Sequence, residues 1–243
     1  MDFLVFYQHR HIYYRHHIRM KITILMPALN EEESIGKTIS MIPLGKLNEM
    51  GYNTEILVVD GGSHDNTSGV ATVLGARVIN SPRGYGRQYL LGFKNSLGEI
   101  LVTADSDCSY PMEEIPKLLN MLETENLDFI HTNRFAFMDH DSMMPLNRFG
   151  NKVLTLFANL LFNFSLKDSQ SGMWVFRKKI LDGITLTGNG MSLSQEIKIK
   201  AFRNFKAREV DSCYRKRVGK VKLRMFVDGC DNLFNLFKMR ILG

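Results

Sequence analysis

Cysteine and long apolar segments are both scarce in this sequence. The 243 residues include three cysteines, Cys108, Cys213 and Cys230, an odd number without the Cys-x-x-Cys spacing of zinc and redox sites. We therefore expect no disulfide framework, and we expect a reducing, cytoplasmic setting. No apolar run reaches the roughly 18 residues that a transmembrane helix needs, and the N-terminus lacks the apolar stretch of a signal peptide.

Positive charge is concentrated in one segment. The net charge is +6, yet residues 203–224, RNFKAREVDSCYRKRVGKVKLR, hold nine Lys or Arg and two acidic residues, so the rest of the chain is close to neutral. Such a patch favours a phosphate-bearing partner or an anionic membrane surface over nucleic acid. A solvated basic surface is the alternative.

The composition, 44% hydrophobic, fits one α/β domain, which we place at residues 21–225. Residues 1–20 hold four of the seven histidines without a clear period. They are predicted to be a disordered extension or a start-site artefact, with a metal-binding histidine tract as the alternative. Residues 226–243 are predicted to form an amphipathic C-terminal helix.

Strand and helix patterns alternate over the first half of the chain. Strands are predicted at 21–27, 55–60, 76–79 and 99–107, and helices at 30–42, after a cap at Asp65, at 86–97 and at 111–124. This alternation predicts a doubly wound, mostly parallel, Rossmann-like sheet. Ligands bind such sheets beyond the carboxyl ends of the strands, where the acidic loops of this chain are expected.

Two segments of the second half have unusual apolar patterns. Residues 149–164 are apolar on nearly every face, which predicts a helix that is buried or lies against a lipid surface. In the tail, one predicted helix side carries Cys230, Leu233, Phe234, Phe237 and Ile241. That side either packs on the domain core or lies at a membrane interface.

Two aspartates stand one residue apart at the end of the fourth predicted strand. Residues i and i+2 of an extended strand face the same way, so Asp105 and Asp107 can direct their carboxylates at one point, with Ser106 facing away. Two carboxylates can hold Mg²⁺ or Mn²⁺ when water and a substrate diphosphate complete the coordination. The pair therefore predicts a phosphorylated substrate, and an ordinary acidic turn is the alternative.

Four ordered motifs, PALNEEE, VVDGGSHDNT, GYGRQ and DSD, resemble those of the family-2 inverting glycosyltransferases, from about Met20 to Met225. The segments DSDCSYPMEEIPKLL, DSQSGMWVFRK, SQEIKIKA and YRKRVGKVKL are similar to the dolichol-phosphate mannosyltransferase branch and its polyprenyl-phosphate relatives. The resemblance implies an A-type glycosyltransferase fold. It also implies transfer of a hexose from a nucleotide diphosphate sugar, of the GDP-mannose or UDP-glucose type, to a polyprenyl phosphate at the cytoplasmic membrane face.

The resemblance also implies roles for particular residues. The donor site would comprise Pro27, Leu29, Asn30, Glu31, Asp60, Asp105, Ser106, Asp107, Arg134, Arg217 and Lys222. The metal, Mg²⁺ or Mn²⁺, would lie at Asp105 and Asp107 close to Ser109, while Cys108 would be a packed small residue. Relatives often have an aromatic residue at the position of Leu29 and read DDGS where this chain has Asp60 followed by Gly61, so the nucleotide base stays open.

Further residues are implied around the phosphates and the acceptor. Asp168 and Ser171 match an acceptor loop, and Arg83 and Arg87 either extend the phosphate cradle or are solvated. Fixed cations are needed wherever a diphosphate meets a lipid phosphate.

The implied catalytic residues are Asp107, Glu196 and Arg217. Glu196, expected in the first turn of a helix, matches the catalytic base of many family members, but a phosphate acceptor is already ionised and needs no base. Three alternatives stay open. They are a sugar hydroxyl acceptor with Glu196 as base, a dehalogenase-type phosphatase built on DSDCS, and a non-catalytic nucleotide-sugar binding module.

Overall fold

The computed structural model describes residues 20–220 and 225–242. Lys222 and the predicted extension up to residue 19 therefore lie outside the described residues. The strands are β1 Met20–Ala28, β2 Tyr52–Asp60, β3 Arg77–Asn80, β4 Ile100–Thr103, β5 Phe129–Met138, β6 Trp174–Arg177 and β7 Ala207–Tyr214. The α-helices are α1 Glu32–Ser40, α2 Leu44–Glu49, α3 Thr67–Val73, α4 Tyr85–Asn95, α5 Ile115–Thr124, α6 Pro145–Phe162, α7 Ser192–Asn204 and α8 Met225–Leu242.

The seven strands form one sheet in the order β3-β2-β1-β4-β6-β5-β7. All neighbouring pairs are parallel except those of β6, which runs antiparallel to β4 and β5. The prediction of a mostly parallel α/β sheet is confirmed. Apolar residues cover both faces, as the continuous apolar strands require: Ile24 and Met26 of β1 belong to one core cluster, and Leu25 belongs to the other.

The parallel strands bring three loops to one edge of the sheet. The register pairs Ala28 with Asp60 and Asp60 with Asn80, while Thr103 at the end of β4 pairs with Leu25 of β1. The chain after β1, after β2 and after β4 therefore emerges at the same edge. These segments contain most of the predicted donor-site residues.

Two predicted boundaries need correction. Strand β4 ends at Thr103, so Asp105 and Asp107 lie in the following loop and not on an extended strand. The helix predicted at 149–164 spans Pro145–Phe162, because proline is well tolerated in the first turn, where its missing N–H has no helical partner.

Helices α6 and α8 form a third layer outside the sheet. They share a small apolar cluster with α7, which includes Ala158, Ile199, Leu236 and Met239. The predicted apolar side of α8 is only partly correct, since Phe234 and Ile241 are exposed while Asn232 is buried. Helix α8 therefore presents apolar residues in two directions, toward the protein and toward solvent.

Candidate functional site

The loop after β4 holds the two carboxylates of the DSD motif in different settings. Asp107 is 4% exposed, and its Oδ1 accepts a hydrogen bond from the Ser109 amide at 3.0 Å. Its Oδ2 lies 3.2 Å from Arg217 Nη2. Asp105 is half-buried, and its Oδ1 accepts from the Tyr85 hydroxyl at 3.0 Å. The loop turns sharply at Cys108, whose φ of 65° lies in the left-handed region.

The residues between and after the two aspartates support the loop. Ser106 is buried and its hydroxyl donates to the Pro27 carbonyl at 3.0 Å, so it ties the loop to the end of β1. Ser109 is fully buried and its hydroxyl donates to Asp107. Ser109 therefore supports the Asp107 carboxylate, and its place close to the predicted metal stays a prediction. Cys108 packs against Thr38 with Sγ 3.3 Å from Oγ1.

Positive charge compensates the carboxylate pair only in part. Burial, and next the charge of Asp107, raise the pKa of the Asp105 carboxyl to about 7, and the Tyr85 hydrogen bond and Arg217 offset this only in part. A divalent cation between two hard oxygen donors would supply the missing charge. Asp105 and Asp107 therefore fit a metal that takes its other ligands from a substrate. In residues 20–220 and 225–242, no cluster of three or more acidic, histidine or cysteine side chains is arranged to hold a metal.

Arg217 bridges two parts of the site. Its Nη2 lies 3.2 Å from Asp107 Oδ2 and 3.4 Å from Glu31 Oε1. The backbone beside it is fixed, because the amides of Arg215 and Val218 donate to the carbonyls of Ser109 and Asp107, both at 2.9 Å. The basic segment after β7 therefore lies directly against the DSD loop. The structure brings Arg217 to the site as predicted, whereas Arg83 and Arg87 are exposed at the start of α4.

The segment after β1 is joined to the segment after β2. Asn30, at a left-handed φ of 50°, accepts from the His64 amide and donates its own amide to Ser63, both at 2.8 Å. Leu29 is half-buried beside it. Glu31 is buried and accepts from the Ser34 hydroxyl at 2.8 Å. These contacts shape the wall that the sequence assigns to the nucleotide.

Asp60 and Asp65 organise the chain between β2 and α3. Asp60 Oδ1 accepts from the amides of Gly62 and Ser63 at 3.0 and 2.8 Å, and Oδ2 accepts from the Ser68 hydroxyl. Asp60 therefore closes the turn that follows its own strand, β2. Asp65, the predicted cap of α3, stands one residue before the observed N-cap Asn66, yet it still accepts from the Thr67 amide at the start of the helix.

Arg134 and Asp168 form one buried ion pair. Arg134 Nε and Nη2 lie 2.6 and 2.9 Å from the two carboxylate oxygens, and Asp168 is 0% exposed. Although burial alone raises the pKa of the Asp168 carboxyl, the charge and hydrogen bonds of Arg134 hold it well below its usual range. The sequence assigned Arg134 to the donor and Asp168 to the acceptor loop. The structure joins them, so that Arg134 holds the DSQSG loop in place.

Buried basic residues beneath the DSQSG loop were missed by sequence reasoning. Lys198 on α7 is fully buried and donates to the Ser171 carbonyl at 2.7 Å, and burial lowers its pKa well below the usual value. His131 on β5 is also fully buried and donates from Nε2 to the Asp168 carbonyl. The polar residues of the helix segment SLSQEIKIKA could have signalled Lys198, whereas no sequence pattern pointed to His131.

Glu196 stands in the second turn of α7, not in the first as expected. It is 1% exposed. Its carboxylate accepts from the amides of Thr187 and Gly188, at 3.0 and 2.8 Å, and from Lys200 Nζ at 2.7 Å. Glu196 therefore braces the loop before α7. That loop packs on the start of α4, where the Arg87 amide donates to the Asn189 carbonyl at 3.2 Å.

The fold and the carboxylate site together define a glycosyltransferase of the A-type fold. The chain belongs to glycosyl transferase family 2, whose family model matches residues 23–185. This confirms the family, the fold and the enzyme class that the sequence predicts.

Curated relatives share about a third of their residues with this chain. A low-salt glycan biosynthesis hexosyltransferase, Agl6, of Haloferax volcanii is 33% identical over 212 residues, which are 86% of this chain and 51% of that protein. A dolichyl-phosphate hexose transferase of the same organism is 33% identical over 210 residues, 86% of this chain and 89% of that protein. The chain thus spans about half of one relative and most of the other.

A solved structure shows the same fold. Glucosyl-3-phosphoglycerate synthase from Mycobacterium tuberculosis, in complex with Mn²⁺, uridine diphosphate and glucosyl-3-phosphoglycerate, has a TM-score of 0.71 at 20% identity. The match covers 91% of this chain and 80% of that one. At this identity the likeness establishes the architecture.

Replacing Asp168 by Asn tests the buried ion pair. The variant leaves Arg134 buried without its counter-charge, so we expect a loss of about 3–5 kcal/mol in the free energy of unfolding at pH 7. Asp182→Asn, the same change at an exposed position, should alter it by less than about 0.5 kcal/mol. Urea denaturation measures both. Equal stability of the two variants would contradict the assignment.

The contribution of Asp168 to the free energy of unfolding should become smaller at acidic pH. The folded-state pKa of Asp168 is depressed, so its stabilising contribution is complete above the unfolded-state value of about 3.9 and declines as pH falls below it. The stability gap between the unmodified protein and Asp168→Asn should therefore narrow on acidification. A gap that widens below pH 4 would be inconsistent with the ion pair.

Proposed function

We propose that this enzyme transfers a hexose from a nucleotide diphosphate sugar, of the GDP-mannose or UDP-glucose type, to a polyprenyl phosphate. The observation that supports this most is the Asp105–Asp107 carboxylate pair with Arg217 beside it, in a chain 33% identical to a dolichyl-phosphate hexose transferase. The proposed donor pocket lies between the segments after β1, β2 and β4. Pro27, Leu29, Asn30, Glu31 and Asp60 would line its nucleotide end.

Asp105 and Asp107 would hold Mg²⁺ or Mn²⁺. Such an ion would supply positive charge to the donor diphosphate and to the departing nucleoside diphosphate. Arg217 already contacts Asp107. Its guanidinium could exchange this contact for two parallel hydrogen bonds to a phosphate group of the donor. Lys222, farther along the same basic segment, is proposed as a second phosphate contact. Arg134 would act mainly through the DSQSG loop that it fixes.

The acceptor phosphate would provide the nucleophile. Its second pKa is near 6, so an oxygen is ionised at neutral pH and needs positioning for in-line attack on the anomeric carbon more than it needs a base. The DSQSG loop, with Asp168 and Ser171, is the proposed positioning element, since Ser171 and Asp168 are both fully buried and rigidly bonded. Attack from the face opposite the leaving group would invert the anomeric configuration.

Helices α6 and α8 provide the proposed contact with the cytoplasmic face of the membrane. Ten of the fourteen exposed large apolar residues among those described belong to this region: Phe137, Met144, Leu146, Phe149, Leu156, Leu160, Val227, Phe234, Phe237 and Ile241. We call this set the apolar face. Exposed basic residues lie on the same two helices, namely Arg148, Lys152, Lys238 and Arg240. In residues 20–220 and 225–242, no helix is long and apolar enough to span a bilayer.

Apolar side chains with basic neighbours suit an anionic lipid surface, because the side chains enter the interface while the cations meet the headgroups. A polyprenyl phosphate presents its reactive group at such a surface. The apolar face thus supports a lipid acceptor over a soluble sugar acceptor.

A direct assay tests the reaction. Purified protein, polyprenyl phosphate, Mn²⁺ or Mg²⁺ and a panel of radiolabelled nucleotide sugars should yield labelled lipid with one donor, and EDTA should abolish the product. Asp107→Asn should lower the rate by at least about 10²-fold because it removes charge from the metal site. Asp182→Asn is the matched surface control. Donor binding without any transfer would instead indicate a non-catalytic binding module.

Glu196→Gln distinguishes the two acceptor classes. With a phosphate acceptor no base is required, so the variant should keep transfer to within about tenfold, whereas loss of a general base costs about 10²–10⁴-fold. Initial rates at saturating donor provide the measurement, and thermal melting checks that the loop before α7 stays folded. Near-total loss in a stably folded variant would favour a hydroxyl acceptor with Glu196 as the base.

Flotation with anionic liposomes tests the apolar face. Leu160 and Phe234 are each 71% exposed, and Val73 on α3 is 86% exposed away from this set. Leu160→Ser and Phe234→Ser should each weaken binding by about 10- to 100-fold, since inserting such a side chain is worth about 1.5–3 kcal/mol. Val73→Ser should have no effect. No flotation of the unmodified protein at low salt would count against a lipid acceptor.

A further inference from the structure

Tyr85, the first residue of α4, has a hydroxyl directed at the DSD loop. It donates to Asp105 Oδ1 at 3.0 Å and lies 3.4 Å from the hydroxyl of Tyr89. Among the described residues, Tyr85 is the one side chain that donates a hydrogen bond to Asp105. Tyr85 lies in the GYGRQ segment, whose tyrosine has no role in the reaction outlined above.

The position of Tyr85 is set by rigid parts of the fold. Three residues farther along α4, Gln88 Nε2 donates to the carbonyls of Ala28 and Val59 at 2.8 Å each, so α4 is attached to the ends of β1 and β2. Tyr89 is fully buried, with its ring 5.1 Å from that of Trp174. At Gly86 a Cβ would lie 2.5 Å from the Gly188 carbonyl oxygen, which shows how closely the helix start packs on the loop before α7.

The DSQSG loop packs against both Tyr85 and Asp105. A Cβ added to Gly172 would lie 2.9 Å from the Tyr85 hydroxyl and 3.2 Å from Asp105 Oδ1. The Gly172 backbone is itself held, because its carbonyl accepts from the Thr103 hydroxyl at 2.8 Å and its amide donates to the Tyr110 hydroxyl. The Gly172 backbone, the Tyr85 hydroxyl and the Asp105 carboxylate therefore meet at one point, with no room for a side chain at position 172.

We propose that Tyr85 is a positioning residue that orients the Asp105 carboxylate for the divalent cation, with the Gly172 backbone packed against both the phenol hydroxyl and the carboxylate. The hydrogen bond from the phenol to Oδ1 fixes the rotation of the carboxylate and, with it, the direction in which its oxygens would face the ion. This inference rests on the proposed function, in which Asp105 and Asp107 bind the cation. It adds that Tyr85 of α4 orients the Asp105 carboxylate and that Gly172 of the DSQSG loop packs against both residues. The proposed donor and acceptor parts of the site are therefore in direct contact at Asp105.

Mn²⁺ binding measured by electron paramagnetic resonance, with and without a nucleoside diphosphate, tests this assignment without relying on turnover. Tyr85→Phe removes only the hydroxyl and should weaken Mn²⁺ binding about tenfold, as expected for the loss of one hydrogen bond to a charged group. Tyr52→Phe, the same change at the start of β2 and hence at the opposite edge of the sheet, is the matched control and should bind Mn²⁺ normally.

Kinetics and a second variant separate positioning from a general loss of structure. In Tyr85→Phe, the Mn²⁺ concentration for half-maximal transfer should rise about tenfold while saturating Mn²⁺ restores most of kcat. Gly172→Ala should also weaken Mn²⁺ binding, because its methyl group would displace the same carboxylate. Unchanged Mn²⁺ affinity in both variants overturns the assignment of Tyr85. Absence of Mn²⁺ binding by the unmodified protein and by Tyr52→Phe overturns the proposed cation site itself.

Discussion

The repulsion between two carboxylates held close together out of water is the constraint on which the rest of this site depends. Burial and the charge of Asp107 raise the pKa of Asp105 to about 7, so the pair is costly to keep ionised without added positive charge. Arg217 meets part of that need from the basic segment. Because the negative charge of the two carboxylates is not fully balanced, this edge of the sheet suits a cation, which can in turn bind a diphosphate.

The fold keeps these charges in place through hydrogen bonds between loops. Ser106 ties the DSD loop to β1, Asn30 ties the segment after β1 to that after β2, and the Val218 amide ties the basic segment to Asp107. Each bond satisfies a polar group that would otherwise be buried at a cost. Because the loops are fixed to one another, the charged groups are arranged before any ligand binds, which lowers the reorganisation needed during a reaction.

A second charged layer lies beneath the DSQSG loop. The Arg134–Asp168 ion pair, Lys198 and His131 are all buried on the side of β5 and α7. Breaking such a network by removing one partner is costly even where its net contribution to stability is small. Its evident effect is geometric, because it fixes the backbone of Ser171 and Gly172 beside Asp105. The loop assigned to the acceptor and the loop assigned to the metal are thus one packed unit.

The sequence by itself determined the family, the sheet and the acidic motif, because apolar periodicity and short ordered motifs are local properties of the chain. It could not determine how side chains distant in sequence would pair. Arg134 paired with Asp168 of the DSQSG loop, Asp60 closed its own loop, Ser109 donated to Asp107, and Glu196 braced a loop from the second turn of α7. Likewise, periodicity defined an amphipathic α8, but only packing against α6 and α7 decided that Leu236 is buried and Phe234 exposed. Those outcomes depend on which buried polar groups and apolar surfaces meet in three dimensions, and only the tertiary structure decides that.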